Sequence, residues 1–162
     1  MRIGVLTSLY PSPPRPQEGI FAERRWVGMR ARGHEVFLVH PVPHAPKILS
    51  WGQRGEYRRM PSGEDRRGVR IGRPRYRHVP RRALGNAAAF ASAGCELLLG
   101  AERPDVVVID YAWPAAAAVQ RLREAGLPCV VNGRGSDVLL VREHPSLRAE
   151  LARALELAGR WC

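Results

Sequence analysis

Lysine is almost missing from this chain: Lys47 stands alone, and arginine supplies the rest of a formal charge of +11 at pH 7 over 162 residues. Cysteine is scarce as well. Cys95, Cys129 and Cys162 are odd in number and far apart, which argues against a disulfide framework and against any paired metal-ligand spacing. No apolar run approaches the roughly 18 residues that span a bilayer. The opening Met1-Arg2-Ile3-Gly4-Val5-Leu6-Thr7 is too short in apolar residues for a signal peptide and no small-residue cleavage site follows it. A cytoplasmic protein without an integral membrane segment is therefore expected. Neither G-x-G-x-x-G nor G-x-x-x-x-G-K-[ST] occurs, which argues against a dinucleotide site or a P-loop. No Ser/His/Asp triad or pair of carboxylates with a clear relation can be placed, and neither a metal nor a cofactor is expected.

What is present suits one soluble domain. Hydrophobic residues make up 45% and charged residues 25%, the balance of an ordinary globular protein with a single core. Arg2 to Thr7 is an apolar run closed by Ser8 and a string of prolines, which reads as a buried parallel strand and a loop. From Gly19 to Arg32 the apolar residues Ile20, Phe21, Val27, Gly28 and Ala31 are taken to share one helical arc, and Gly33 supplies the stop. Glu35 to His40 follows as a second strand. No period is visible from Ala45 to Arg67, which reads as a long surface excursion. Val69 to Tyr76 reads as a third strand at the edge, because Pro74 removes a ladder donor. A helix over Ala83 to Gly100, a strongly β-branched strand from Asp105 to Asp110, a helix over Ala115 to Ala125, a strand over Pro128 to Asn132 and a helix over His144 to Ala158 complete the chain. This alternation predicts an α/β fold, a doubly wound, Rossmann-like parallel sheet of five strands in the order 3-2-1-4-5.

Ligands of such sheets bind beyond the C-terminal strand ends. The loop Ser8 to Gly19 ends in a glycine at a helix N-terminus, where free N–H groups favour a phosphate or a sugar oxygen, or where glycine serves only a positive φ. Tyr111-Ala112-Trp113-Pro114 follows the best strand. Gly133-Arg134-Gly135-Ser136-Asp137 follows the next, offering close backbone approach, a planar cationic fork and a carboxylate that either meets sugar hydroxyls or caps local amides. His34 and His40 flank element boundaries and read as structural. Residues 45–82 form a basic excursion in which, from Lys47 to Arg82, twelve Lys or Arg face three acids. Anionic lipid, an anionic polymer and a merely solvated Arg-rich loop all fit that charge, and no nucleic-acid motif accompanies it.

The ordered motifs carry a resemblance. Thr7-Ser8-Leu9-Tyr10-Pro11, Gly19-Ile20-Phe21, Arg32-Gly33-His34-Glu35-Val36 and Arg134-Gly135-Ser136-Asp137 appear in turn, supported by Pro41-Val42-Pro43, Pro74-Arg75-Tyr76, Pro104-Asp105, Ala112-Trp113-Pro114 and His144-Pro145. Together they resemble the N-terminal domain of family 4 glycosyltransferases, in particular bacterial enzymes of exopolysaccharide or teichuronic-acid-type polymers. The resemblance implies one half of a GT-B fold, its acceptor side, in an enzyme performing retaining transfer from a nucleotide-sugar to a glycan or lipid-linked acceptor without metal. It implies Arg134 and Asp137 as catalytic candidates, Gly19, Gly135 and Ser136 against the donor, and Tyr111, Trp113 and Arg24 toward the acceptor. Arg134 stands where many relatives carry a catalytic histidine, and Asp110 where relatives often show histidine. The donor-binding domain is expected to lie outside these residues, so the chain alone is expected to be inactive. The competing expectation is a stand-alone binding module for anionic lipid or polymer, with an anionic membrane surface as partner.

Overall fold

The computed structural model describes residues 1–45, 52–100 and 103–161; Lys47, Trp51 and Cys162 lie outside them. The first half contains β1 (Arg2–Leu6), α1 (Ile20–Ala31), β2 (Glu35–Val39), β3 (Val42–Pro43), α2 (Gln53–Arg59), β4 (Gly63–Arg66), β5 (Val69–Gly72) and β6 (Arg75–Tyr76). The second contains α3 (Ala83–Leu98), β7 (Val106–Asp110), α4 (Ala112–Ala115), a 3₁₀ turn (Ala116–Ala118), α5 (Val119–Glu124), β8 (Cys129–Asn132), α6 (Ser136–Arg142), α7 (Pro145–Ala158) and β9 (Gly159–Trp161). Seven strands form one sheet in the order β4-β5-β2-β1-β7-β8-β9. The inner five, β5-β2-β1-β7-β8, are parallel and keep the expected order.

Side chains alternate between two apolar layers, as the strand pleat requires. Ile3, Val5, Val36, Leu38 and Ile71 face α1 and pack with Ala22 and Trp26. Leu6, Val39, Val107, Ile109 and Val131 face the other way, against Phe90 and Leu98 of α3, Leu122 of α5 and Leu151 of α7. The sheet is thus covered on both faces, although Val106 and Val108 are only half-buried beside the α1 layer. Among the described residues no helix is long and apolar enough to cross a membrane.

Several expectations are corrected. The sheet has seven strands, not five, because both edges gain one: β4 antiparallel to β5, and β9 parallel to β8. Strand β4 reads Gly-Glu-Asp-Arg and has no apolar alternation to announce it. It is joined to β5 by Arg67 and Gly68, both at positive φ (53° and 75°), the two-residue geometry that matches strand twist. The excursion also holds helix α2, too short and polar to show a period. The third strand is two: β5 ends at Gly72 and β6 pairs instead with β3 in a separate two-stranded ribbon, the break falling at Pro74. Helix α6 was not foreseen, and the helix expected from Ala115 starts at Ala112 with a kink at Trp113.

The arc assigned to α1 is also revised. Its buried residues are Ala22, Glu23 and Trp26, while Phe21 and Ala31 are exposed. A carboxylate can occupy the inner face because Arg66 of β4 hydrogen-bonds it and Arg67 lies 3.8 Å away.

Candidate functional site

Parallel register brings the strand ends to one edge. Leu6 pairs with Val39 and with Ile109, and Asp110 pairs with Asn132. The loops after β1, β7 and β8 therefore leave from the same side of the sheet, as a switch-point site requires.

Asp110 is the centre of that edge. It is buried, and its carboxylate accepts hydrogen bonds from Trp26 Nε1 at 2.8 Å, Asn132 Nδ2 at 2.7 Å, and Arg134 through Nε at 3.1 Å and Nη2 at 2.9 Å. Arg25 approaches it at 3.5 Å. The Arg134 guanidinium also sits over the Phe21 ring, 4.9 Å from its centroid. One face of the fork thus meets an aromatic ring and one edge meets a carboxylate, a use of the planar cation that lysine cannot copy.

Asp137 builds the loop that carries Arg134. Buried in its turn, it accepts from the backbone N–H of Arg134 at 2.9 Å, of Val138 at 3.0 Å and of Ala112. The last bond straps the β8 loop to the β7 loop. Tyr111 adds a second strap: its hydroxyl lies 3.0 Å from Ser136 Oγ. Tyr111 holds φ at +83°, a conformation that costs a non-glycine residue on the order of 1–3 kcal/mol and persists where surroundings over-determine it. Here the straps from Asp137 and Ser136 and the Tyr111 N–H donated to Asn132 O at 3.1 Å do so. Asp137 thus caps the amides of the loop that carries Arg134.

The first loop packs tightly around Gly19. Gly19 has φ +70°, and a Cβ there would lie 2.8 Å from the Leu9 carbonyl oxygen. Its free side points at the loop's own backbone, so the steric demand for glycine comes from within the chain. Beneath this loop lies a buried polar layer. Arg73 donates to Glu64 at 2.7 Å and to Pro11 O at 2.9 Å. His40 is buried near it, and burial followed by the Arg73 charge pushes the imidazole down to about 3, so it is neutral and no candidate acid. Tyr10 OH, Ser12 Oγ, His40 Nδ1 and Arg73 Nε and Nη1 are buried without a hydrogen-bond partner among the described residues.

Among the sequence-predicted residues, Arg134, Gly135, Ser136, Asp137 and Tyr111 come together. Trp113 lines an adjoining cleft of about 460 Å³ that also includes Ser8, Tyr76, Arg81 and Leu140. Arg24 is exposed and makes no hydrogen bond or ion pair among the described residues; its neighbour Arg25 reaches Asp110 instead. Sequence reasoning missed Trp26, Asn132 and Phe21 as partners of the pair. Their signal was positional: Asn132 ends a strand beside Asp110, and Phe21 and Trp26 lie in the helix that follows β1. No group of three or more His, Cys, Asp or Glu that could hold a metal occurs among the described residues.

Comparison with known proteins identifies the family and the fold. Residues 19–161 match the model of the glycosyl transferase 4-like domain. The chain belongs to that family. A putative teichuronic acid biosynthesis glycosyltransferase, TuaC of Bacillus subtilis (strain 168), is 30% identical over 146 residues, which is 85% of this chain and 37% of that protein. Sucrose-phosphate synthase from Thermosynechococcus elongatus superposes with a TM-score of 0.60 at 13% identity over 97% of this chain and 39% of that one. A shorter chain of the same enzyme gives 0.57 at 13% identity over 100% of this chain and 87% of its own. At that identity the likeness is one of fold, the GT-B half. The 162 residues thus span well under half the length of TuaC and of the longer synthase chain.

Proposed function

We propose that this glycosyl transferase 4-like domain is the acceptor-side half of a retaining glycosyltransferase. It moves a sugar from a nucleotide-sugar to a glycan or lipid-linked acceptor, and the relative named for teichuronic acid biosynthesis supports a polymer-building role. In the reaction the bond from the anomeric carbon to the donor phosphate oxygen breaks, the acceptor hydroxyl oxygen bonds to the same face of that carbon, and its proton passes to the leaving phosphate. The observation that carries the reading is the Arg134 fork, held at the strand ends by Asp110 and Phe21. A preset guanidinium of this kind stabilises charge growing on a leaving phosphate in a site shielded from water. Asp110 and Asp137 are both occupied by donors, which favours charge stabilisation over carboxylate nucleophilic catalysis at this edge.

The test restores the remaining length of a TuaC-type relative behind residue 158 and measures steady-state turnover. Arg134→Ala lowers kcat about 100-fold or more, the scale of losing one preset donor, and Arg134→Lys retains more activity than Ala but less than Arg. The 162-residue chain alone transfers no sugar. Full turnover by Arg134→Ala sinks the reading.

A further inference from the structure

Two clefts meet at the start of α3. The cleft of about 460 Å³ beside the Arg134 loop carries Tyr76, Trp113, Pro114 and Leu140 on its walls. A second, of about 490 Å³, includes Leu84, His144 and Leu147. Both are bordered by Arg81, Arg82 and Ala83, so the two adjoin as a groove divided by a pair of arginines.

The arginines stand on a built turn. Asn86 of α3 donates its side-chain amide to Val79 O and accepts from Val79 N–H, each at 2.8 Å, while Arg82 N–H reaches Val79 O at 3.3 Å. Arg81 holds φ at +63° in this turn. Elsewhere in the basic excursion Arg66, Arg73 and Arg75 are engaged by Glu23, Glu64 and backbone carbonyls. Arg81 and Arg82 are exposed, and no carboxylate pairs with them among the described residues. Apolar side chains are bare on the same cleft walls: Leu140 is 61% exposed and Leu84 44%. A soluble surface tolerates scattered apolar residues, but these sit together on a groove next to unpaired cations.

From this juxtaposition we infer that the groove binds the phosphate ester of an apolar chain, with Arg81 and Arg82 on the phosphate and Leu84, Leu140, Tyr76 and Trp113 along the chain. The inference rests on the acceptor-side reading above and selects within it: the acceptor is lipid-linked through phosphate. Two adjacent guanidiniums match phosphate oxygens, and hydrogen bonds to a charged group are about twice as strong as neutral ones. An apolar tail gains from covering leucines that water now touches. A donor nucleotide satisfies the cations but leaves the leucines bare.

The experiment measures binding to the full chain by calorimetry, using farnesyl phosphate below its micelle concentration, farnesol and inorganic phosphate. Farnesyl phosphate binds at least tenfold more tightly than either of the others, and free UDP or GDP does not displace it. The double substitution Arg81→Asn and Arg82→Gln weakens farnesyl phosphate at least tenfold and leaves farnesol unchanged; Asn is chosen because it tolerates a positive φ. Leu140→Ser weakens farnesyl phosphate severalfold and leaves the thermal midpoint in place. Arg82→Gln alone gives an intermediate loss if the double variant unfolds. Equal binding of farnesol, displacement by a nucleotide, or unchanged affinity in the arginine variants overturns the inference. Turnover of a water-soluble sugar acceptor by the restored two-domain enzyme, unaffected by those variants, leaves the transferase reading standing without it. Absence of transfer to every acceptor by the restored parent enzyme defeats the transferase reading instead.

Discussion

Position 110 illustrates how one residue can serve two strands and a helix. Asp110 ends β7, faces Asn132 across the register, and gathers Trp26, Asn132 and Arg134. Burying a carboxylate is costly unless its oxygens are satisfied, and here cationic and neutral donors do so together. Gly19 makes the opposite point, since its importance lies in what it lacks. The family resemblance implies a place against the donor, and within the chain an added Cβ lies 2.8 Å from Leu9 O and 2.9 Å from Leu9 C, both backbone, at φ +70°. Gly19→Ala therefore destabilises the fold by on the order of 1–3 kcal/mol. Urea denaturation followed by circular dichroism measures it, and an unchanged midpoint would show that the loop moves aside freely.

Helix α1 and the hairpin of β4 and β5 hold each other through charge. Glu23 is buried, whereas its partner Arg66 is partly exposed, with 28% of its side chain reaching solvent. The two halves of the pair should therefore differ when removed singly. Arg66→Ala leaves a buried carboxylate with Arg67, 3.8 Å away, as its one cation among the described residues, and costs up to about 3–5 kcal/mol, the range for a buried charge stripped of its partner. Glu23→Gln leaves arginines that can turn to water and costs less. Chemical denaturation of both variants checks the order; a larger loss for Glu23→Gln would mean that the glutamate helps through packing rather than charge. The same element explains why α1 looked amphipathic in the wrong direction. Phe21 is exposed toward Arg134 and leaves the inner face to Glu23 and Trp26.

Across the whole molecule, the excess charge is distributed by partner. Arg66 and Arg73 are engaged by carboxylates and Arg75 by backbone carbonyls, whereas the pair at the groove meets no carboxylate among the described residues. The buried layer under the first loop makes global stability depend on acidity. His40 has a native pKa near 3 from burial and then from Arg73, against about 6.5 in an unfolded chain. Above pH 6.5 both states are neutral there and this residue contributes no slope. As pH falls below 6.5 the unfolded chain takes up a proton that the native protein refuses, so stability drops by about 1.4 kcal/mol per pH unit for this group, until the native pKa is approached. Urea midpoints between pH 6.5 and 5, where most carboxylates are still ionised, should show this fall in the parent protein and a shallower one in His40→Gln. Equal slopes would mean that His40 is protonated in the native fold.

By itself the sequence determined the inner sheet, its order and the edge that carries the loops. The reason is that apolar runs, glycine stops and prolines are local signals, and right-handed crossovers leave few ways to arrange them. It also named Arg134, Ser136, Asp137 and Tyr111, because a strand end locates its own loop. Only the tertiary structure decided what each of these touches. Asp137 as a strap, Asp110 as the partner of Arg134, Phe21 as its platform and Gly19 as a packing requirement all depend on residues far apart in the chain meeting at one place. Strands β4 and β9 were hidden for the same reason: as edge strands they owe their pairing to a neighbour already in position, and their own residues need carry no apolar period.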